Sequence, residues 1–143
     1  MTLAAVGLGA NLGDVARSVR DAIDALGQLP GTRLVQASRL YRTPAWGVTA
    51  QPDFINAVAL LDTGLSARAL LEALLDIERV HGRVRVDGER WGPRTLDLDL
   101  LLHGDAIIDE AGLRVPHPHL HERARALLPL LQAWPAAIIP GIG

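Results

Sequence analysis

Apolar and polar positions follow two periods along this chain, and the switches between them divide it into elements. Residues 2–8 form a short, mostly apolar run followed by glycine, which predicts a buried strand. Over 14–26 the period lengthens: Val15, Val19, Ala22, Ile23 and Leu26 fall on one helical face, closed by Gly27 and the Leu29-Pro30-Gly31 turn. Residues 33–42 mix β-formers with polar residues and predict a strand of an antiparallel pair, and 54–61 predicts the next. Ser66 is placed to cap a second helix over 67–81, with Leu70, Leu71, Leu74, Ile77 and Val80 as its apolar face and Gly82 at its end. Residues 96–102 alternate apolar with acidic and then turn wholly apolar, a strand pattern. Residues 106–108 and 113–115 predict a hairpin around Glu110-Ala111-Gly112, 116–118 is extended, and 119–134 predicts a third helix interrupted at Pro129. The order β-α-β-β-α-β, then hairpin and helix, is the split βαβ pattern of an α+β protein. No repeat, low-complexity stretch or linker divides the chain, so one domain over 1–143 is expected.

Composition narrows the chemistry. With 143 residues, 49% of them hydrophobic and 21% charged, the chain is long and apolar enough to bury a core. No apolar run reaches a membrane span and no signal-peptide pattern opens the chain, so a cytoplasmic protein without membrane contact is expected. The absence of cysteine excludes a disulfide framework, a thiolate nucleophile and Cys-ligated zinc. A net charge of −2 gives no broad attraction for nucleic acid. All 14 basic residues are arginine, which excludes a P-loop lysine and a Schiff-base lysine. Phosphate handling is left to arginine, histidine, backbone or metal.

Chemistry is densest at residues 89–102. Pro93 fixes its own φ and disfavours the α region for Gly92, so Arg90-Trp91-Gly92-Pro93-Arg94-Thr95 is a loop. On the strand that follows, Asp97 and Asp99 are two apart and share a face. Two carboxylates side by side repel unless a cation sits between them, and Mg²⁺ accepts one or two carboxylates plus phosphate oxygens. Arginine forks beside such a pair suggest phosphoryl transfer from a nucleotide. A solvated strand face is the other reading of the same pair. The scarce aromatics Trp46, Phe54 and Trp91 lie in or beside predicted loops, where a flat heterocycle is held by stacking or where rings anchor loops on the core. Phe54 and Asn56 share a strand face, so an amide stands beside a ring. Gly7, Gly9 and Gly13 miss the dinucleotide spacing by one residue and read as a strand-to-helix turn. His117, His119 and His121 alternate, but Pro118 and the lack of nearby acids other than Glu122 weigh against a transition-metal site.

The run Arg90-Trp91-Gly92-Pro93-Arg94-Thr95-Leu96-Asp97-Leu98-Asp99-Leu100-Leu101 resembles the signature of the 6-hydroxymethyl-7,8-dihydropterin pyrophosphokinase family, and the resemblance extends from the first strand to Arg123. It implies a ferredoxin-like βαββαβ sandwich with an added hairpin and C-terminal helix. It also implies transfer of pyrophosphate from ATP to the hydroxymethyl group of the dihydropterin, releasing AMP, in folate biosynthesis. By the same resemblance Asp97 and Asp99 hold two Mg²⁺, and Asp97 also faces the pterin. Thr43, Pro44, Trp46, Phe54 and Asn56 form the pterin pocket. Glu78, Arg83, Trp91, Arg94, Leu100, His117 and Arg123 meet ATP, with Arg83, Trp91 and Arg94 counted among the catalytic groups. Residues 83–94 are expected to close as a lid. Arg125 departs from the pattern: it falls where the family usually has an aromatic opposite Phe54. The expected protein is a monomer whose partners are ATP and hydroxymethyl-dihydropterin. A ferredoxin-like binding module for RNA or a regulatory ligand is the reading from another class. The first strand carries none of the exposed aromatics an RNA-binding sheet needs, and a regulatory module does not need the paired aspartates.

Overall fold

The computed structural model describes residues 1–11, 14–43, 54–82, 96–118, 120 and 124–140, with 43, 124 and 125 described by their backbone. The elements run β1 (Thr2–Ala10), α1 (Val15–Gly27), β2 (Thr32–Ala37), β3 (Tyr41–Thr43), β4 (Phe54–Thr63), α2 (Ala67–Ile77), β5 (Asp97–His103), β6 (Ile108–Glu110), β7 (Leu113–Val115) and α3 (Ala124–Ala133). The main sheet is antiparallel in the order β2-β4-β1-β5, with β3 continuing the β2 edge along β4, and β6 and β7 form a separate hairpin. This is the expected split βαβ arrangement, a ferredoxin-like sheet.

Alternation decides what covers each face. Ala4, Val6, Leu8 and Ala10 of β1 join Ala57, Ala59 and Leu61 of β4 and Leu98 and Leu100 of β5 against Val19, Leu26, Leu70 and Leu74 of α1 and α2. On the opposite face Ala5, Val58, Leu101 and Leu102 pack with Leu120, Leu130 and Ala133, the last two from α3. A bulge in the β1–β5 register allows Leu101 and Leu102 to serve the same face: Val6 pairs Leu100 while Ala5 pairs Leu102. Leu74 is fully buried at the centre of the helix-side core. Leu74→Ala is expected to destabilise the chain by about 2–5 kcal/mol, whereas exposed Leu128→Ala changes little; denaturant unfolding of both variants checks this.

Several element bounds differ from those expected, each for a physical reason. The strand expected over 33–42 is broken at Ser38, whose N–H donates to Val58 O while its Oγ accepts from Val58 N–H, both at 2.8 Å. A side chain thus replaces one rung of the ladder. β1 runs on to Ala10, because Gly9 and Ala10 still pair with Asn56 and Ile55, so Gly7 and Gly9 belong to a strand rather than a turn. Ser66 caps α2 as expected, accepting from Ala69 N–H at 3.1 Å. However, α2 gives way after Ile77 to a single π-helical turn over Glu78–Gly82. The changed period turns Val80 outward, so it is exposed rather than part of the apolar face. β6 lies two residues later than expected, with Glu110 paired to Leu113 and Gly112 at φ +75° in the turn. α3 continues through Pro129. A proline in the second turn forfeits one backbone bond, and burial of Leu130 and Ala133 offsets it.

Candidate active site

Among the described residues the face of the sheet under α3 is not fully covered. Past Leu101 the side chains of β1 on this side are Gly7 and Gly9, and the sheet surface there is a bare backbone floor. Register places the walls. Gly9 pairs with Asn56 on one side and Asp97 on the other; Gly7 pairs with Val58 and Asp99. Strands are spaced about 4.8 Å apart, so an amide and a carboxylate face each other across roughly 10 Å of glycine backbone. Phe54 stands two residues before Asn56 on the same face of β4. The resulting cleft of about 210 Å³ is lined by Gly7, Gly9, Phe54, Asn56, Asp97, Asp99, Leu101, His117, Leu120 and Ala126 among others. Substituting either glycine would narrow it. A Cβ on Gly9 would stand 3.1 Å from Asn56 Oδ1, and one on Gly7 3.3 Å from Leu101 Cδ1.

Two contacts fix the cleft from above. Gln132 Oε1 of α3 accepts from Arg39 N–H at 2.7 Å and from Tyr41 Oη at 2.9 Å, tying the helix to the outer edge of the sheet. Tyr41 pairs with Asn56, so this tie ends beside the amide wall. At the other end His117 N–H donates to Leu101 O at 3.0 Å, holding the residue that follows Pro116 against β5. His117 Nε2 is 4.0 Å from Asp99 Oδ1, an ion pair when the imidazole is protonated. Asp99 keeps 55% of its side-chain surface open, and Asp97 is exposed as well.

A second cleft of about 270 Å³ lies on the far side of that pair, lined by Leu71, Leu98, Asp99, Leu100, Gly112, Leu113, Arg114, His117 and Pro118. The two clefts share Asp99 and His117. One is floored by glycine and walled by an amide, a ring and carboxylates. The other is chiefly aliphatic, with Arg114 at its rim. Arg68 pins the hairpin that borders the second cleft, its Nη2 donating to Glu110 Oε2 at 2.9 Å.

Of the residues singled out in the sequence, Phe54, Asn56, Asp97, Asp99 and His117 come together in the first cleft, and Leu100 reaches the second. Thr43 is placed by its backbone, paired with Phe54. Glu78 lies elsewhere: it is 7% exposed, and its Oε2 accepts from Leu98 N–H at 3.0 Å. Pro44, Trp46, Arg83, Trp91, Arg94 and Arg123 lie outside the described residues, as do the loop expected to form a lid, His119 and His121. Among the described residues no group of three His, Asp or Glu is placed to hold a metal. Sequence reasoning missed the glycine floor and the second cleft's Leu71 and Arg114. Glycines alternating with Leu8 in an apolar strand are the available signal for the floor.

Comparison with known proteins gives the chain's family and its fold relatives. The profile of the 7,8-dihydro-6-hydroxymethylpterin-pyrophosphokinase (HPPK) family matches residues 5–135. The chain is 44% identical over 141 residues to the 2-amino-4-hydroxy-6-hydroxymethyldihydropteridine pyrophosphokinase of Methylorubrum extorquens, covering 99% of this chain and 88% of that protein. It is 52% identical over 122 residues to the protein of the same name from Pseudomonas putida, covering 85% and 99%. Among solved structures it resembles Plasmodium falciparum HPPK-DHPS with SDX-DHP, at TM-score 0.67 and 13% identity over 92% of this chain. An HPPK-DHPS in complex with substrates gives TM-score 0.63 and 12% identity over 91% of this chain. The chain spans 40% and 39% of those two solved chains, and at such identities the likeness shows the fold alone. With its profile match running almost end to end and close relatives aligned over nearly their whole length, the chain belongs to the 7,8-dihydro-6-hydroxymethylpterin-pyrophosphokinase family.

Proposed function

We propose that this chain transfers pyrophosphate from ATP to the hydroxymethyl group of 6-hydroxymethyl-7,8-dihydropterin, releasing AMP. The observation that carries the reading is the pair of unlike clefts meeting at Asp99 and His117. A two-substrate transfer needs two seats and one shared junction, where the reacting groups are brought into line. The glycine-floored cleft suits a flat bicyclic ring, stacked by Phe54 and read at its polar edge by Asn56. The aliphatic cleft suits a nucleotide base and ribose whose phosphates run toward the junction.

The residues at the junction fit Mg²⁺. Asp97 and Asp99 offer hard oxygen donors on one strand face, opposite glycines that leave room for phosphate oxygens to complete the coordination. We assign two ions to this pair, which would supply charge neutralisation for the polyphosphate when bound. His117 adds a proton-bearing group at the same place, and Arg83, Arg94 and Arg123 are assigned to phosphate charge by sequence. Trp91 is assigned to the lid that excludes water, with Pro44, Thr43 and Trp46 at the pterin end. In the reaction the hydroxymethyl oxygen bonds to the β-phosphorus of ATP. The bond from that phosphorus to the bridging oxygen of AMP breaks, and the hydroxyl proton is lost to solvent. We assign no dedicated base, because alignment with electrostatic stabilisation carries such transfers.

We place the chain in the cytoplasm as a monomer working as one domain. No described helix is long and apolar enough to cross a membrane. The test is product analysis: ATP, Mg²⁺ and the hydroxymethyl-dihydropterin are expected to yield AMP and pterin diphosphate in equal amounts. ADP instead of AMP, or no pterin-dependent product, overturns the proposal. Arg125 is the second residue of the helix that roofs the cleft, one residue before Ala126 in its lining. If its guanidinium covers the pterin opposite Phe54, Arg125→Ala weakens pterin binding about three- to thirty-fold. Calorimetry with an ATP analogue present measures this, and unchanged affinity together with tighter binding by Arg125→Phe contradicts it.

A further inference from the structure

Among the described strands β5 is an edge of the main sheet, so half of its backbone N–H and C=O groups face away from β1. It is also the strand that carries Asp97 and Asp99. A cation or polyphosphate bound to the two carboxylates pulls on this edge from the open face. Their cross-strand partners are Gly9 and Gly7, which offer no side chain to brace them. Beside the His117–Asp99 pair on the open face, a brace comes from the opposite layer. Glu78, in the π-helical turn that follows α2, is buried to 7% exposure on the helix side of the sheet. Its Oε2 accepts the N–H of Leu98 at 3.0 Å. Leu98 is the residue between the two aspartates, and its own side chain is buried in the helix-side core.

A carboxylate is costly to bury, and charge-assisted bonds to backbone N–H are what make the burial tolerable. Here that bond is made to the one backbone group flanked by both aspartates. We propose that Glu78 is a positioning residue: by fixing the Leu98 rung it sets the direction and spacing of Asp97 and Asp99, and so the affinity of the site for divalent cation. The inference rests on the metal reading of the two aspartates given above. It differs from the role that resemblance implies for Glu78, contact with ATP itself. A group that touches the nucleotide acts through its charge. A group that holds a backbone N–H needs only an acceptor oxygen, which glutamine retains.

The experiment compares wild type, Glu78→Gln and Glu78→Ala. Two quantities are read: amide exchange at Leu98 by NMR, and Mn²⁺ affinity by electron paramagnetic resonance with a non-hydrolysable ATP analogue present. Loss of an outer-shell partner typically weakens metal binding about ten- to hundred-fold, and Glu78→Ala is expected to fall in that range with faster exchange at Leu98. Glu78→Gln is expected to stay within about two-fold of wild type in both. A Glu78→Gln affinity as poor as that of Glu78→Ala, or a folded Glu78→Ala that binds Mn²⁺ as wild type does, overturns the proposal. Should Glu78→Ala fail to fold, Glu78→Gln alone decides: near-wild-type values support the positioning role and a ten-fold loss overturns it. Wild-type protein that binds no Mn²⁺ sinks the metal reading itself, and this proposal with it. Mn²⁺-binding wild type with a deficient Glu78→Gln sinks only the role of Glu78.

Discussion

Asp97→Ala and Asp99→Ala are each expected to lower AMP formation by about 10²–10³-fold or more, with the fold intact. The size of the effect follows from where charge gathers. A triphosphate carries several negative charges into a site whose strand already bears two, and only cations make that approach favourable. Removing one carboxylate removes a cation ligand at the place where both clefts meet. The fold is expected to survive because neither aspartate supports the core. Both are exposed, and β5 is held by Leu98, Leu100, Leu101 and Leu102, all buried. Asp99→Asn is informative beside them, since it keeps the shape and removes the charge. Initial rates of AMP release, read with thermal unfolding, check the expectation. Near-normal rates from a folded alanine variant contradict the assignment of that aspartate.

The second large effect is expected at the amide wall. Asn56→Leu is isosteric enough to keep β4 in place, yet it leaves the polar edge of a bound pterin without a partner. An unsatisfied group of this kind costs about 1–3 kcal/mol, a loss of roughly 5- to 150-fold in affinity. Gly9→Ala reaches the same amide indirectly. The new methyl would stand 3.1 Å from Asn56 Oδ1, and the amide must yield. A weaker loss is therefore expected for Gly9→Ala than for Asn56→Leu, both in pterin affinity and neither in ATP affinity. Titration calorimetry with each ligand separates the two. Wild-type pterin affinity in Asn56→Leu is the result that contradicts the reading.

Much of the fold and of the first cleft is legible in the order of residues alone, and the parts that are not have physical reasons. The alternation at Asp97-Leu98-Asp99 decides which side chains share a face, because a strand has a period of two and no other choice. The same rule places Phe54 and Asn56 together. The sheet's order follows from the split βαβ pattern. The break at Ser38 is hidden, because a hydroxyl that substitutes for a ladder rung looks like any polar residue in a strand. The burial of Glu78 is hidden for a related reason. At the end of an amphipathic helix it reads as a charged residue near a loop, and only the wider turn and the approach of β5 bring it inward. The glycine floor resembles a turn because glycine signals both, and register alone distinguishes them. The second cleft is beyond reach of any local pattern, since α2, β5 and the β6–β7 hairpin meet there from distant parts of the chain.

The most direct test is a crystal structure of this chain with a non-hydrolysable ATP analogue, Mg²⁺ and the hydroxymethyl-dihydropterin. The predicted result has the pterin on Gly7 and Gly9 between Phe54, Asn56 and Asp97, and the adenosine in the cleft with Leu71 and Leu113. The polyphosphate crosses the junction at Asp99 and His117, with metal on both aspartates. A pterin seated in the aliphatic cleft, or a polyphosphate bound away from Asp97 and Asp99, contradicts the account.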